Sequence, residues 1–178
     1  MAHNNTRNID TQKSSPNIAA RVALRLVTPA DHDFLLDAYA STRAEEMSLV
    51  PWTEDQKRTF VGVQFDAQQQ HYQKLYPAAA HEIILWNDRR VGQLYLARLD
   101  EEIRIVDLLL LPSERNRGIG TYLITRLQAE AEQCAKPLKV YVESFNPSIR
   151  LFERLGFSRG EVQGVHILME WSLATRVD

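Results

Sequence analysis

The sequence predicts one α/β domain, a mixed and mostly antiparallel sheet with helices on both faces. Three observations lead there. Short alternating apolar runs recur at strand length, as in Val22, Leu24, Leu26 and again in Leu138, Val140, Val142. Stretches with helical spacing stand between some of these runs, so hairpins come first and a strand–helix–strand crossover follows. The second half of one strand, Ile103 to Leu111, is apolar on both faces, as in a central strand covered from both sides. The expected order is β-α-α-β-β-β-α-β-α-β-β.

The first strand is expected over Arg21 to Val27, ended by Pro29. Phe34, Leu35, Ala38 and Tyr39 then space out a helix from Asp31 to Arg43. Ala44 to Trp52 reads as an irregular segment closed by Pro51. Thr53 and Gln56 form a capping box for a long helix to about Leu75. Its expected apolar face carries Phe60, Val61, Val63, Phe65, Ala67, Tyr72 and Leu75. His81 to Trp86 and Val91 to Leu99 form a hairpin about the turn Asn87 to Arg90. Ile103 to Leu111 is the central strand. A helix from Gly118 to Cys134 presents Ile119, Leu123, Leu127 and Ala131 on one face. Leu138 to Glu143 is a strand. Asn146 and Pro147 read as N-cap and first residue of a short helix, with Gly156 closing it. Phe157 to Val162 and Val165 to Leu173 are the last two strands.

Composition narrows the class. The chain has 178 residues, enough for one domain with a real core. Residues 1–19 are polar and without hydrophobic period, and read as a flexible tail before a domain over 20–178. The net charge of -2 argues against a broad nucleic-acid footprint. The single cysteine, Cys134, forms no intrachain disulfide and is expected as a packed small side chain. No apolar run reaches the ~18 residues of a membrane helix. A cytoplasmic, membrane-free protein is expected. No His, Cys, Asp or Glu cluster has metal-ligand spacing, so no metal is expected.

The chemistry concentrates in Leu108 to Leu127. An apolar strand ends at Pro112, a turn carries Arg115 and Arg117, and Gly118 and Gly120 open a helix. Amides at a helix start lack intrahelical partners and face outward, and the two arginines add charge. The natural guest is a phosphate or pyrophosphate. A nucleotide-hydrolysing P-loop would need a lysine before Thr121, and Gly120 stands there. A dinucleotide fingerprint would need a third glycine where Leu123 stands.

Arg115 to Gly120, RNRGIG, resembles the first signature block of the GCN5-related N-acetyltransferases (GNAT). Asn146 to Phe157, NPSIRLFERLGF, resembles their second block, and the elements between are in the family's order. The resemblance implies the GNAT-like fold, with a splayed central strand pair. It also implies acetyl-CoA as co-substrate and transfer of its acetyl group to an amine of a small molecule or peptide by direct attack. A non-catalytic acyl-CoA-binding sensor or interaction module is the alternative.

On this resemblance, Arg117, Gly118, Ile119, Gly120 and Thr121 hold the pyrophosphate, and Arg115 holds the loop. Leu109, Leu110 and Leu111 pair through their backbone with the pantetheine arm. The Leu110 amide is the oxyanion donor. Asn146 lies near the arm. Phe152 stands where many members carry a tyrosine acid, so it packs against the cofactor arm or the core instead, and Tyr141 and Ser144 are replacements without a spacing argument. Arg104 stands where several members carry a glutamate base. Asp107, inside an apolar strand, and Glu143 are the substitute bases. For the acceptor, Glu45 and Glu46 offer negative charge and Met47 and Trp52 an apolar wall, with His71 and Tyr72 as weaker candidates. Dimers through terminal strands are common in that family.

Overall fold

A computed structural model describes residues 18–172. The expectations for residues 1–17 and for Leu173 lie outside the described residues. The element order matches the expected one. It runs β1 (Val22–Leu26), α1 (His32–Ser48), α2 (Glu54–Leu75), β2 (Ala80–Trp86), β3 (Arg89–Arg98), β4 (Ile103–Leu110), α3 (Ile119–Gln133), β5 (Leu138–Glu143), α4 (Ile149–Arg154), β6 (Ser158–Gln163) and β7 (His166–Trp171). The seven strands form one sheet in the order β1-β2-β3-β4-β5-β7-β6. Among the described strands, only β4 and β5 run parallel.

Two cores flank the sheet. Under α3 and α4, the residues Ile119, Leu123, Ile124, Leu127 and Ala131 pack on Leu94, Leu96, Ile103, Ile105, Leu138 and Val140. The i, i+4 spacing of that α3 stripe is what buries it. Leu123→Ala is expected to cost roughly 2–5 kcal/mol, because its neighbours cannot close the gap. On the other face, Leu35, Tyr39 and Met47 of α1 pack with Val61 and Phe65 of α2 over Ile83.

Several elements differ from the sequence reading. α1 runs on to Ser48, so Ala44 to Met47 are helical rather than irregular. Ala, Glu and Met are strong helix formers and no breaker precedes Pro51. α2 buries only Val61 and Phe65, while Phe60, Val63 and Leu75 are exposed. It lies on α1 along a single i, i+4 line, too narrow for the whole apolar face. α4 starts at Ile149 rather than Pro147, with Asn146 Oδ1 accepting the Ser148 N–H at 2.9 Å just before it. Cys134 is exposed, because it sits at the C-cap of α3, past the buried stripe. Ile18 and Ala19, expected in the tail, form a 3₁₀ turn with Ala20, and Ile18 packs against the α3 core.

The central strand has the feature that matters most. β4 and β5 pair only from Ile103–Leu138 to Ile105–Val140. Beyond that they part. At the same point β4 carries a bulge: Tyr95 pairs Asp107 and Leu96 pairs Ile105, so Val106 is the extra residue. One inserted residue reverses the side-chain alternation. Ile105 faces the α3 core, and Asp107 is turned to the α1–α2 face beside Tyr95 and Gln93.

Candidate functional site

The site has two parts, a loop at the mouth of the parted strands and a polar row on the α1–α2 face. The loop leaves β4 through a 3₁₀ turn, Pro112–Glu114. It turns left-handed at Asn116 (φ 61°) and at Gly118 (φ 81°) before α3 begins. An asparagine and a glycine tolerate that conformation best. The first ladder bond of α3 joins Tyr122 N–H to Gly118 C=O at 2.9 Å, so the Ile119, Gly120 and Thr121 amides precede the ladder. No acidic residue stands in the first turn of α3. The loop therefore keeps the electropositive end that an anion needs.

The arginines have structural duties as well. Arg115 Nε donates to the Leu110 carbonyl at 3.1 Å and straps the loop to the end of β4. That bond takes one of the carbonyl's two lone pairs within the chain. Arg117 pairs with Glu114 at 2.9 Å, and Glu114 also lies 3.8 Å from Arg89. Glu114 is buried, and sequence reading missed it. The two glycines also have packing duties. A Cβ on Gly118 would lie 3.2 Å from Ile18 Cδ1, and one on Gly120 would lie 3.4 Å from Leu151 Cδ2. Their missing side chains make room for protein neighbours, and Gly120 lets α4 approach α3.

Along the parted strands, the Leu111 N–H is spent on Val91 C=O at 2.9 Å. Peptide groups alternate in direction along a strand, so the Leu111 amide is not available to a ligand, and the Leu110 N–H turns to the edge that β5 has left. Leu109 is buried, and a Cβ on Gly92 would stand 2.0 Å from the Leu109 carbonyl oxygen. Only glycine fits there. Phe152 and Phe157 meet edge to face at 5.1 Å inside the α3–α4 core, which is one of the two places expected for Phe152.

On the α1–α2 face, burial pushes the Asp107 carboxyl up to about 6, opposed by hydrogen bonds from Gln93 and the Leu108 amide. Gln93 Nε2 donates to Asp107 Oδ2 at 2.5 Å. The Tyr72 hydroxyl belongs to the same group. Burial raises it first, and Asp107, Tyr39, Tyr76 and Glu143 add to the shift. Its ring meets Tyr95 at 5.5 Å. Glu143, the last residue of β5, also acts on Arg43 of α1. Asp107 and Glu143 thus share one face, on either side of the parting.

The other candidates scatter. Glu46 sits 3.4 Å from Arg43 and reaches this face through it. Glu45 is exposed on the last turns of α1, and Met47 is core. Trp52 is exposed and meets Phe60 edge to face at 5.2 Å, over a shallow hollow lined by Asp55, Gln56 and Thr59. The proposed acceptor wall of Glu45, Glu46, Met47 and Trp52 is therefore not one surface. Arg104 and Lys139 both pair with Glu102, which leaves Glu102 committed. The Tyr141 hydroxyl donates to Glu161 at 2.9 Å, and that bond raises its pKa. His71 is exposed. A hollow between α3 and β1–β3, lined by Leu24, Glu82, Arg98 and Arg126, holds none of these residues. Among the described residues, no three His, Cys, Asp or Glu side chains gather as a metal site.

The strand parting, the loop and the element order coincide with one known family. A model of the acetyltransferase (GNAT) family matches residues 41–157. The chain belongs to that family. The GNAT fold is seen again among solved structures. The PaiA N-acetyltransferase of Thermoplasma acidophilum, in complex with coenzyme A, has 14% identity and a TM-score of 0.63, over 85% of this chain and 98% of that one. An acetyltransferase of Thermus thermophilus has 18% identity and the same TM-score of 0.63, over 86% and 97%. YncA of Salmonella typhimurium, with its cofactor acetyl-CoA, has 19% identity and a TM-score of 0.52, over 86% and 94%. At these identities the likeness is one of fold. No curated protein matches the sequence. No helix among the described residues is long and apolar enough to cross a membrane.

Proposed function

We propose that the protein moves an acetyl group from acetyl-CoA to an amine of a small molecule or peptide, by direct attack. One observation carries the reading. β4 and β5 part where a bulge turns Asp107 inward, and the open start of α3 stands at the end of that opening. The residues suit the co-substrate: an acid-free helix start, two arginines and an edge of strand backbone. The amides of Ile119, Gly120 and Thr121, with Arg117, would hold the pyrophosphate. Arg115 would hold the loop, and the Leu110 N–H would face the thioester carbonyl as the oxyanion donor. Acetyl-CoA supplies an activated thioester.

Asp107 serves as the base. A carboxylate with a pKa near 6 is poor at stripping a free ammonium of pKa ~10, but an amine N–H grows acidic as its C–N bond forms. Asp107 takes that proton as the C–S bond breaks and thiolate leaves. A thiol of pKa ~8.5 leaves as thiolate near neutral pH, so Phe152 in place of an acid is tolerable. Glu143 and Glu46 give the acceptor side negative charge, which favours a cationic amine; the ammonium gives its first proton to bulk water before attack, and Asp107 takes the second.

The test is thiol release from acetyl-CoA across a panel of amines, preceded by calorimetric titration with acetyl-CoA. Saturable binding with acceptor-dependent release supports the reading. The absence of a side-chain acid at Phe152 favours one rival, a non-catalytic acyl-CoA sensor. Binding without release for any amine would establish that rival. No binding at all would remove both.

A further inference from the structure

Asp107 is one end of a chain of three side chains. Gln93 is 1% exposed, and both ends of its amide are engaged. Its Nε2 donates to Asp107 Oδ2 at 2.5 Å, and its Oε1 lies 2.9 Å from His81 Nε2. Strand register sets them in a row on one face, since Gln93 pairs Ile83, Tyr95 pairs His81, and Asp107 pairs Tyr95. Tyr95 stacks on His81 at 4.6 Å. His81 at the far end is half-exposed.

An amide has a fixed polarity: its nitrogen end only donates and its oxygen end only accepts. With the nitrogen toward Asp107, the carboxyl accepts as an anion, and His81 must carry its hydrogen on Nε2. The Leu108 N–H is a second donor to the same carboxylate. A proton added to Asp107 then meets donors. It finds an acceptor in place if the Gln93 amide turns over. The oxygen now faces Asp107, the nitrogen faces His81, and His81 must offer a bare Nε2 with its hydrogen on Nδ1.

We propose that Gln93 is a positioning residue whose amide turns over when Asp107 gains a proton, and that His81 changes tautomer with it. One proton enters, on Asp107. His81 stays neutral and moves its single hydrogen from Nε2 to Nδ1 by exchange with solvent. In each state the atoms that face one another along the row are matched donor to acceptor, so the carboxyl can gain and lose a proton without orphaning its Gln93 partner. Burial holds His81 below its ordinary range, against the pull of Gln93 and Asp31. Outside the row, Tyr72 of α2 is the group that feels Asp107, and Tyr39 of α1, Tyr76 just after α2 and Glu143 of β5 act on Tyr72 in turn. The catalytic use of this switch rests on Asp107 being the base proposed above; the switch itself does not.

The test is ¹⁵N imidazole NMR on the full chain from about pH 5 to about pH 8, with the Asp107 carboxyl carbon followed alongside. His81 should show Nε2–H at the upper end and Nδ1–H at the lower end, with the midpoint of the Asp107 titration. In Asp107→Asn the His81 tautomer should no longer change with pH. In Gln93→Met the link should break, and the Asp107 midpoint should rise because a donor to the anion is gone. A His81 that keeps one tautomer through the Asp107 titration overturns the proposal. Neither resonance depends on turnover. If Asp107→Asn retains acetyl transfer while His81 tracks Asp107 in the parent, the switch stands and the base assignment falls.

Discussion

The loop and the polar row sit at two sides of one strand, yet they are built in opposite ways. The loop is continuous in sequence, from Leu110 to Thr121, and its shape comes from local rules. Two left-handed residues, a helix start and an arginine strap are all within a dozen positions. The row draws His81 from β2, Gln93 from β3 and Asp107 from β4, with Tyr72 from α2 above. No local rule links them. Only the sheet register and the Val106 bulge bring them together. On the proposed reading, the loop would bind charge with backbone and the row would control one proton with buried side chains. Affinity and chemistry should therefore fail separately.

The largest expected effect is on the row. Asp107→Asn keeps the shape of the side chain and removes the proposed base, so kcat/KM should fall about 10²–10⁴-fold. Acetyl-CoA affinity by calorimetry should stay near that of the parent. The same variant bears on stability. Burial raises the folded-state pKa of Asp107 above its unfolded value, so the folded state binds the extra proton between them. Stability should fall as pH rises from ~4 toward ~6 in the parent, and this slope should flatten in Asp107→Asn.

Gly92→Ala strikes both regions. Its Cβ would stand 2.0 Å from the Leu109 carbonyl oxygen, which lies in backbone that must shift. A loss of about 3 kcal/mol by denaturant melting is expected, with both cofactor affinity and turnover reduced. A neutral Gly92→Ala would show that β4 is not fixed by β3 at this point.

Next comes a site near the outer end of the row. Asp31 is buried and takes two bonds of 2.7 Å from Arg25, with further bonds from Thr28 and Arg90. The Arg25 guanidinium foremost holds its carboxyl well below the usual carboxylate range. Asp31→Asn should cost about 2 kcal/mol near neutral pH, since bonds to a charged group are lost. A depressed carboxylate stabilises above its unfolded pKa of ~3.9 and loses that contribution as pH falls through and below it. The difference between parent and variant should therefore shrink in acid.

Arg117→Glu is the smallest and sharpens the contrast from the loop side. It reverses charge beside the α3 amides and next to Glu114. The KM for acetyl-CoA should rise about tenfold, a loss near 1.4 kcal/mol, while the acid limb of the pH profile stays where it was. A shift of that limb would mean the two regions are coupled.

The same contrast explains what could be read from sequence. The element order, the Thr53–Gln56 capping box and the loop followed from local patterns, and the structure has them. Asp107 stood out because it interrupts an apolar run. Gln93 and His81 did not, because as single residues they read as ordinary strand positions. The Val106 bulge leaves no mark in a run of apolar residues, so the side to which Asp107 turns was not legible. Gly92 did carry a signal, a glycine inside a strand, which marks a close backbone approach. Glu114 looked like one more charge in a polar turn, and its burial depends on Arg89 in a distant hairpin. The acceptor wall failed for a related reason. Whether α1 stops at Arg43 or Ser48 decides where Glu45 and Glu46 point.

The most direct measurement is the pH dependence of kcat/KM for one amine that supports thiol release, in the parent and in Asp107→Asn. With Asp107 as the base, the parent profile shows a one-proton fall on its acid side with a midpoint near 6, and the variant shows a low rate without that limb. An Asp107→Asn enzyme with the parent's rate and the same acid limb would contradict that role.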